Sequence, residues 1–66
     1  MTITLNGEPY TLEGPATLAA LLERLEIHPQ TVAVELNQDI VRRDRLAETP
    51  LAEGDRVEVV RMIGGG

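Results

Sequence analysis

Cysteine, phenylalanine and tryptophan do not occur in this chain, and tyrosine and histidine occur once each. Each absence removes a class of chemistry. Without cysteine there is no disulfide, no thiolate nucleophile and no thiolate-ligated metal. His28 has no second histidine with which to share an ion, and a surface place at a helix end is expected for it. Without large aromatics the core has to be assembled from Leu, Val, Ile and Ala. Positive charge is scarce: six Lys or Arg stand against eleven Asp or Glu, a net charge of −5. That balance disfavours a nucleic-acid binder, which needs a basic face and stacking aromatics. It favours solubility and a basic protein partner. No apolar run approaches the ~20 residues of a membrane span and no signal peptide is apparent, so the cytoplasm is the expected compartment.

The chain has 66 residues, enough for one domain with a small core. A substrate pocket of roughly several hundred Å³ would hollow out that core. The size points to a binding or carrier module rather than an independent enzyme. Paired carboxylates such as Glu23/Glu26 and Asp39/Asp44 fall on polar stretches, where solvated charge is expected rather than acid–base work. Arg42, Arg43 and Arg45 form a local basic cluster, expected to be a solvated loop.

What is present is periodicity. In "TITLNGEPYTLEG", Ile3 and Leu5 alternate with threonines, and Tyr10 and Leu12 alternate with Thr11 and Glu13. Asn6-Gly7 between them accepts the positive φ of a tight turn, so the stretch predicts a β-hairpin. Pro9 marks an irregularity or an edge. In "TLAALLERLEIHP", Leu18, Leu21, Leu22 and Leu25 make one apolar stripe at helical spacing, with Thr17 as N-cap. Pro29 restricts His28, which places the helix end near Ile27. "TVAVELN" alternates as a strand, "NQDIV" turns the chain with a short strand at Ile40-Val41, and "RRDRLAETPL" is polar and broken, with room for one helical turn. "DRVEVVRMI" is the last strand, after a turn at "AEGD". The order ββαβ(β)β with one helix stripe predicts an α+β domain: a mixed sheet of four to five strands with the helix packed across one face.

The last strand runs directly into Gly64, Gly65 and Gly66. A frayed end would be ordinary, but glycine averages only about 7% of residues, so three in succession after a strand is uncommon. Glycine has no Cβ and threads channels that exclude any side chain. Three extended residues reach about 10 Å, and a terminal α-carboxylate is ionised at neutral pH. Residues 1–63 are therefore expected to be the folded body and 64–66 a flexible tail. Its Gly66 carboxylate would be delivered into another enzyme and activated there with ATP, as a mixed anhydride open to attack by sulfur or an amine.

These stretches resemble a known family. "VAVELNQDIVRR" is similar to the strand, turn and Val-x-Arg of the bacterial thiamine-biosynthesis sulfur carrier family (ThiS), and "LAETPLAEGDRVEVVRMIGGG" closely resembles its ending. The resemblance covers the whole chain and implies a ubiquitin-like β-grasp, with the first and last strands parallel at the sheet centre. It implies a protein co-substrate rather than an enzyme, with no bound cofactor and no metal. Gly66 would be adenylated by an E1-like adenylyltransferase that uses ATP, then converted to a thiocarboxylate. Sulfur would come through a cysteine desulfurase or rhodanese-type donor and pass to thiazole synthase. Many members carry Pro where this chain has Arg42 and an aromatic where it has Arg45-Leu46. The Gly-Gly ending is shared by molybdopterin-synthase small subunits, cysteine-biosynthesis carriers and ubiquitin-like protein modifiers, so carrier and modifier both stay open here. In the β-grasp arrangement Val57 and Val59 point inward, while Glu58, Val60 and Met62 share the outer face with Ala33. That patch leads into the tail and is the expected partner-binding surface.

Overall fold

The computed structural model describes residues 1–62. Two hairpins, one helix and a last central strand make up the chain. Strands β1 (Thr2–Leu5) and β2 (Glu8–Thr11) form the first hairpin. Asn6 and Gly7 have φ of 49° and 84°, the pair of positive angles that a type I′ turn requires. Pro9 faces Thr4 across the hairpin, and the Thr4 N–H is turned the other way, donating to Asp55 O at 2.8 Å. The Pro9 nitrogen therefore faces the outer edge, where a missing N–H breaks no ladder bond.

Helix α1 spans Leu18–Arg24, and the Thr17 hydroxyl accepts from Ala20 N at 3.2 Å as its cap. Seven residues are too few for an isolated helix in water, so packing holds it. Leu18 and Leu21 are fully buried and Leu22 nearly so; Leu25 is half-buried at the core margin. The helix ends earlier than Pro29 dictates. Glu26 takes φ 59°, its N–H donates to Glu23 O, and the Ile27 N–H donates to Leu22 O at 2.9 Å. This is a Schellman motif with glutamate in the left-handed position that glycine usually fills. Burying Ile27 against the core turns the chain back before proline can act.

A 3-10 turn, Pro29–Thr31, leads into β3 (Val32–Leu36), which pairs with β4 (Asp39–Val41) across a second tight turn. Asn37 and Gln38 there have φ of 52° and 75°. The following "RRDRLAETPL" is more ordered than its polarity predicts: Arg43–Glu48 forms a six-residue 3-10 helix. Its Leu46 is buried, as is Leu51, and the segment is tied to the helix start by Leu18 N to Thr49 O and Leu51 N to Ala16 O. The Arg45 guanidinium bonds Glu48 at 3.0 Å, and Arg42 lies 3.7 Å from Asp44, both pairs exposed.

Strand β5 (Arg56–Arg61) closes the sheet, whose order is β2-β1-β5-β3-β4. It runs parallel to β1 and antiparallel to β3. This is the β-grasp order, with the five-stranded sheet covered on one face by α1. The core combines Ile3, Leu12, Leu18, Leu21, Leu22, Val32, Val34, Leu46, Leu51 and Val57, with Leu5 and Val59 packed at its margin. Replacing Leu21 by Ala should lower unfolding free energy in urea by about 2–5 kcal/mol. Glu26→Gly should raise it by about 0.5–1 kcal/mol, because glycine removes the left-handed strain at the helix end.

Candidate functional site

The outer face of β5 begins as a consequence of alternation. Val57 is buried and Val59 half-buried on the helix side, so Glu58, Val60 and the following Met62 face away from it. Val60 is 52% exposed and Met62 46%. Register places Ala33 directly opposite Val60, and Ala33 is exposed as well. Four residues chosen from sequence (Ala33, Glu58, Val60, Met62) thus share one surface. The other three, Gly64, Gly65 and Gly66, lie outside the described residues, as does the 63/64 boundary between body and tail.

The structure adds two residues to this surface. Ile40 stands directly opposite Glu35 on β4 and is 75% exposed, the most exposed large aliphatic among the described residues. Its direction was legible only through the second hairpin's register, because a three-residue strand carries too little alternation to orient itself. Glu35, half-buried, stands directly opposite Glu58. Like charges facing across strands are unfavourable, and neither carboxylate is in an ion pair among the described residues. The face therefore presents the aliphatic side chains of Ala33, Ile40, Val60 and Met62 beside two carboxylates that face each other without an ion pair among the described residues. It suits a partner bringing an apolar contact and a cation.

The chain is held firmly up to the last described residue. Met62 N donates to Thr31 O at 2.9 Å, extending the β3–β5 ladder past the end of both strands. On the opposite edge β1 has already ended, and the Asn6 side chain takes the place of a strand: its Oδ1 accepts from Val59 N at 2.8 Å and its Nδ2 donates to Val59 O at 3.4 Å. Asn37 does the same at the strand's beginning, accepting from Arg56 N at 2.9 Å and donating to Asp55 at 3.2 Å. From sequence alone both asparagines read only as turn formers.

His28 is exposed, and its Nδ1 accepts from Gln30 N at 3.1 Å, capping the 3-10 turn. Among the described residues no group of three His, Cys, Asp or Glu side chains is placed to hold a metal ion. No helix of the described residues is long and apolar enough to cross a membrane.

Comparison with known proteins agrees with this geometry. The family model described as "ThiS family" matches residues 3–66. A sulfur carrier protein ThiS of Thermus thermophilus is 42% identical over 64 residues, covering 97% of this chain and 98% of the relative. A thiazole synthase of Magnetococcus marinus is 47% identical over 66 residues, all of this chain but only 20% of that protein. A second, from Paramagnetospirillum magneticum, is 38% identical with the same coverage, so the chain spans about one fifth of the length of these two curated relatives. The crystal structure of a thiamine biosynthesis protein (ThiS) from Geobacter metallireducens superposes with a TM-score of 0.87 at 35% identity, each chain fully covered. With sheet order, helix placement and nearly the full sequence in agreement, the chain belongs to the ThiS family.

Proposed function

We propose that this protein is the sulfur carrier for formation of the thiazole of thiamine. One observation carries the choice: a domain matching the whole of this chain occurs within proteins named thiazole synthase, while relatives of its own length are named sulfur carriers. That association favours thiazole formation over molybdopterin or cysteine synthesis and over protein modification. The carrier acts as a co-substrate and not as an enzyme. In this reading the Gly66 carboxylate attacks ATP within an E1-like adenylyltransferase, giving an acyl-adenylate and pyrophosphate. The terminal sulfur of a persulfide on a desulfurase or rhodanese-type donor displaces AMP to give an acyl disulfide. A thiol then attacks the donor-side sulfur, forms a disulfide with the donor and releases the thiocarboxylate, which donates sulfur to thiazole synthase. ATP belongs to the adenylyltransferase and no cofactor resides on the carrier. The compartment is the cytoplasm, where ATP and a reducing environment coexist.

The body's part is to aim the tail. Strand β5 ends at the edge of the outer face, so a partner that grips Ala33, Glu58, Val60 and Met62 holds the chain two residues from Gly64. Glycines at 64–66 allow a narrow channel to close around the backbone. Met62 suits more than one partner surface, because its unbranched side chain repacks.

The reading is tested by intact mass. Incubation with adenylyltransferase, ATP and a sulfur donor should exchange one oxygen of the chain for sulfur. Stable adducts on the amines of other proteins would instead mean a modifier. Deleting Gly66 should abolish the exchange and leave the melting temperature unchanged. Val60→Asp and Met62→Asp should each weaken binding to adenylyltransferase and thiazole synthase by about tenfold or more, again with little change in melting temperature. Calorimetric titrations in which both folded variants match wild type would remove the docking surface from the account.

A further inference from the structure

The carrier reading makes the C-terminus an acyl electrophile, and the folded body has almost nothing that can attack it. All six cations are arginine, and lysine is absent; serine and cysteine are absent as well. Lysine and serine are among the commonest residues of ordinary proteins, so their joint absence from 66 positions is a marked bias. Charge is not what was avoided, since Arg24, Arg42, Arg43, Arg45, Arg56 and Arg61 are kept. What is missing is the primary amine. A guanidinium stays protonated at any physiological pH and is no acyl acceptor.

The remaining candidates are occupied or weak. The Met1 ammonium donates to Leu12 O at 2.6 Å and is partly buried beside the first hairpin. The Tyr10 side chain is half-buried against the core. The His28 Nδ1 lone pair is engaged by Gln30 N. The other hydroxyls belong to six threonines, neutral alcohols that need an adjacent base to attack a carbonyl. Thr17 caps the helix, and Thr31 and Thr49 donate to His28 O and Arg45 O at 2.7 Å.

We propose that the body is kept free of competent acyl acceptors, so that the activated C-terminus meets no target on the carrier itself and is left for the external sulfur nucleophile. The proposal rests on the sulfur-carrier reading. The reaction avoided is aminolysis: an amine nitrogen bonds the Gly66 carbonyl carbon, the bond from that carbon to the adenylate oxygen breaks, AMP leaves, and the amine proton goes to solvent. The amide formed is stable, so one such event would end a carrier's working life. Four residues beyond Met62 reach about 13 Å when extended, within range of neighbouring side chains at high effective concentration. A carrier without lysine also cannot be built into chains of itself through its own side chains.

Arg61→Lys tests this, because position 61 is exposed, lies one residue before Met62 and has no side-chain partner among the described residues. Arg61→Gln is the control for loss of the guanidinium. Each chain is prepared as a C-terminal thioester by thiolysis of an intein fusion and held at about pH 9, where a useful fraction of lysine is unprotonated. Wild type and Arg61→Gln should give only the hydrolysed acid. Arg61→Lys should lose thioester about tenfold faster or more and yield a species one water lighter than the acid, or a covalent dimer. Amide formation by wild type through Met1, or none by Arg61→Lys, would overturn the proposal. The same chains with adenylyltransferase and ATP, without sulfur donor, report ATP–pyrophosphate exchange. If exchange is absent while the thioesters behave as expected, the carrier reading falls and the body's inertness stands.

Discussion

The fold depends on β5 lying in the middle of the sheet. It takes its hydrogen bonds from β1 on one side and β3 on the other, so the first strand and the last are neighbours. A central position gives the C-terminal strand two sets of ladder bonds, but β1 is short and covers only its beginning. Asn6 supplies what β1 does not, bonding both main-chain groups of Val59, and Asn37 anchors the strand's start through Arg56 and Asp55. Both asparagines sit at positive φ in two-residue turns. Each therefore performs two tasks with one residue: reversing the chain and fastening β5.

A core without Phe or Trp has to fill its space with branched aliphatics, and all five strands, the helix and the 43–48 segment contribute to it. Leu46 and Leu51 come from a stretch that looks like a loop, yet they close the core beneath the helix. The bonds between residues 16–18 and 49–51 fix that stretch to the helix start, so the 3-10 segment acts as part of the scaffold. The space between helix and sheet is thereby filled with side chains.

Apart from Glu26 at the helix end, local choices agree with the fold on the helix-facing side, and on the other two of them conflict with it. The outer face holds Ile40 in water and sets Glu35 against Glu58. Each choice costs stability, and the two lie side by side across β4, β3 and β5. Concentration of unfavourable choices in one region is the pattern of a surface shaped by a partner. The absence of lysine, serine and cysteine side chains is a constraint of a different kind, one that the proposed chemistry at the terminus would impose and folding does not.

Much of this was written in the sequence. Asn6-Gly7 specified the first turn, because few other pairs accept two positive φ angles. The Leu18/Leu21/Leu22/Leu25 spacing specified the helix and its buried side, and alternation in Val57–Met62 separated the inner from the outer face of the last strand. These are local rules, and each works from neighbours in the chain. The helix ends at Arg24, three residues before the Ile27 that Pro29 implies, because the residue that turns back is a glutamate whose left-handed conformation is held by packing of Ile27 on the core. The buried roles of Leu46 and Leu51, the Glu35–Glu58 opposition and the exposure of Ile40 came only from tertiary structure. They depend on which strand lies beside which, and in what register, and no local pattern encodes a partner from the far end of the chain.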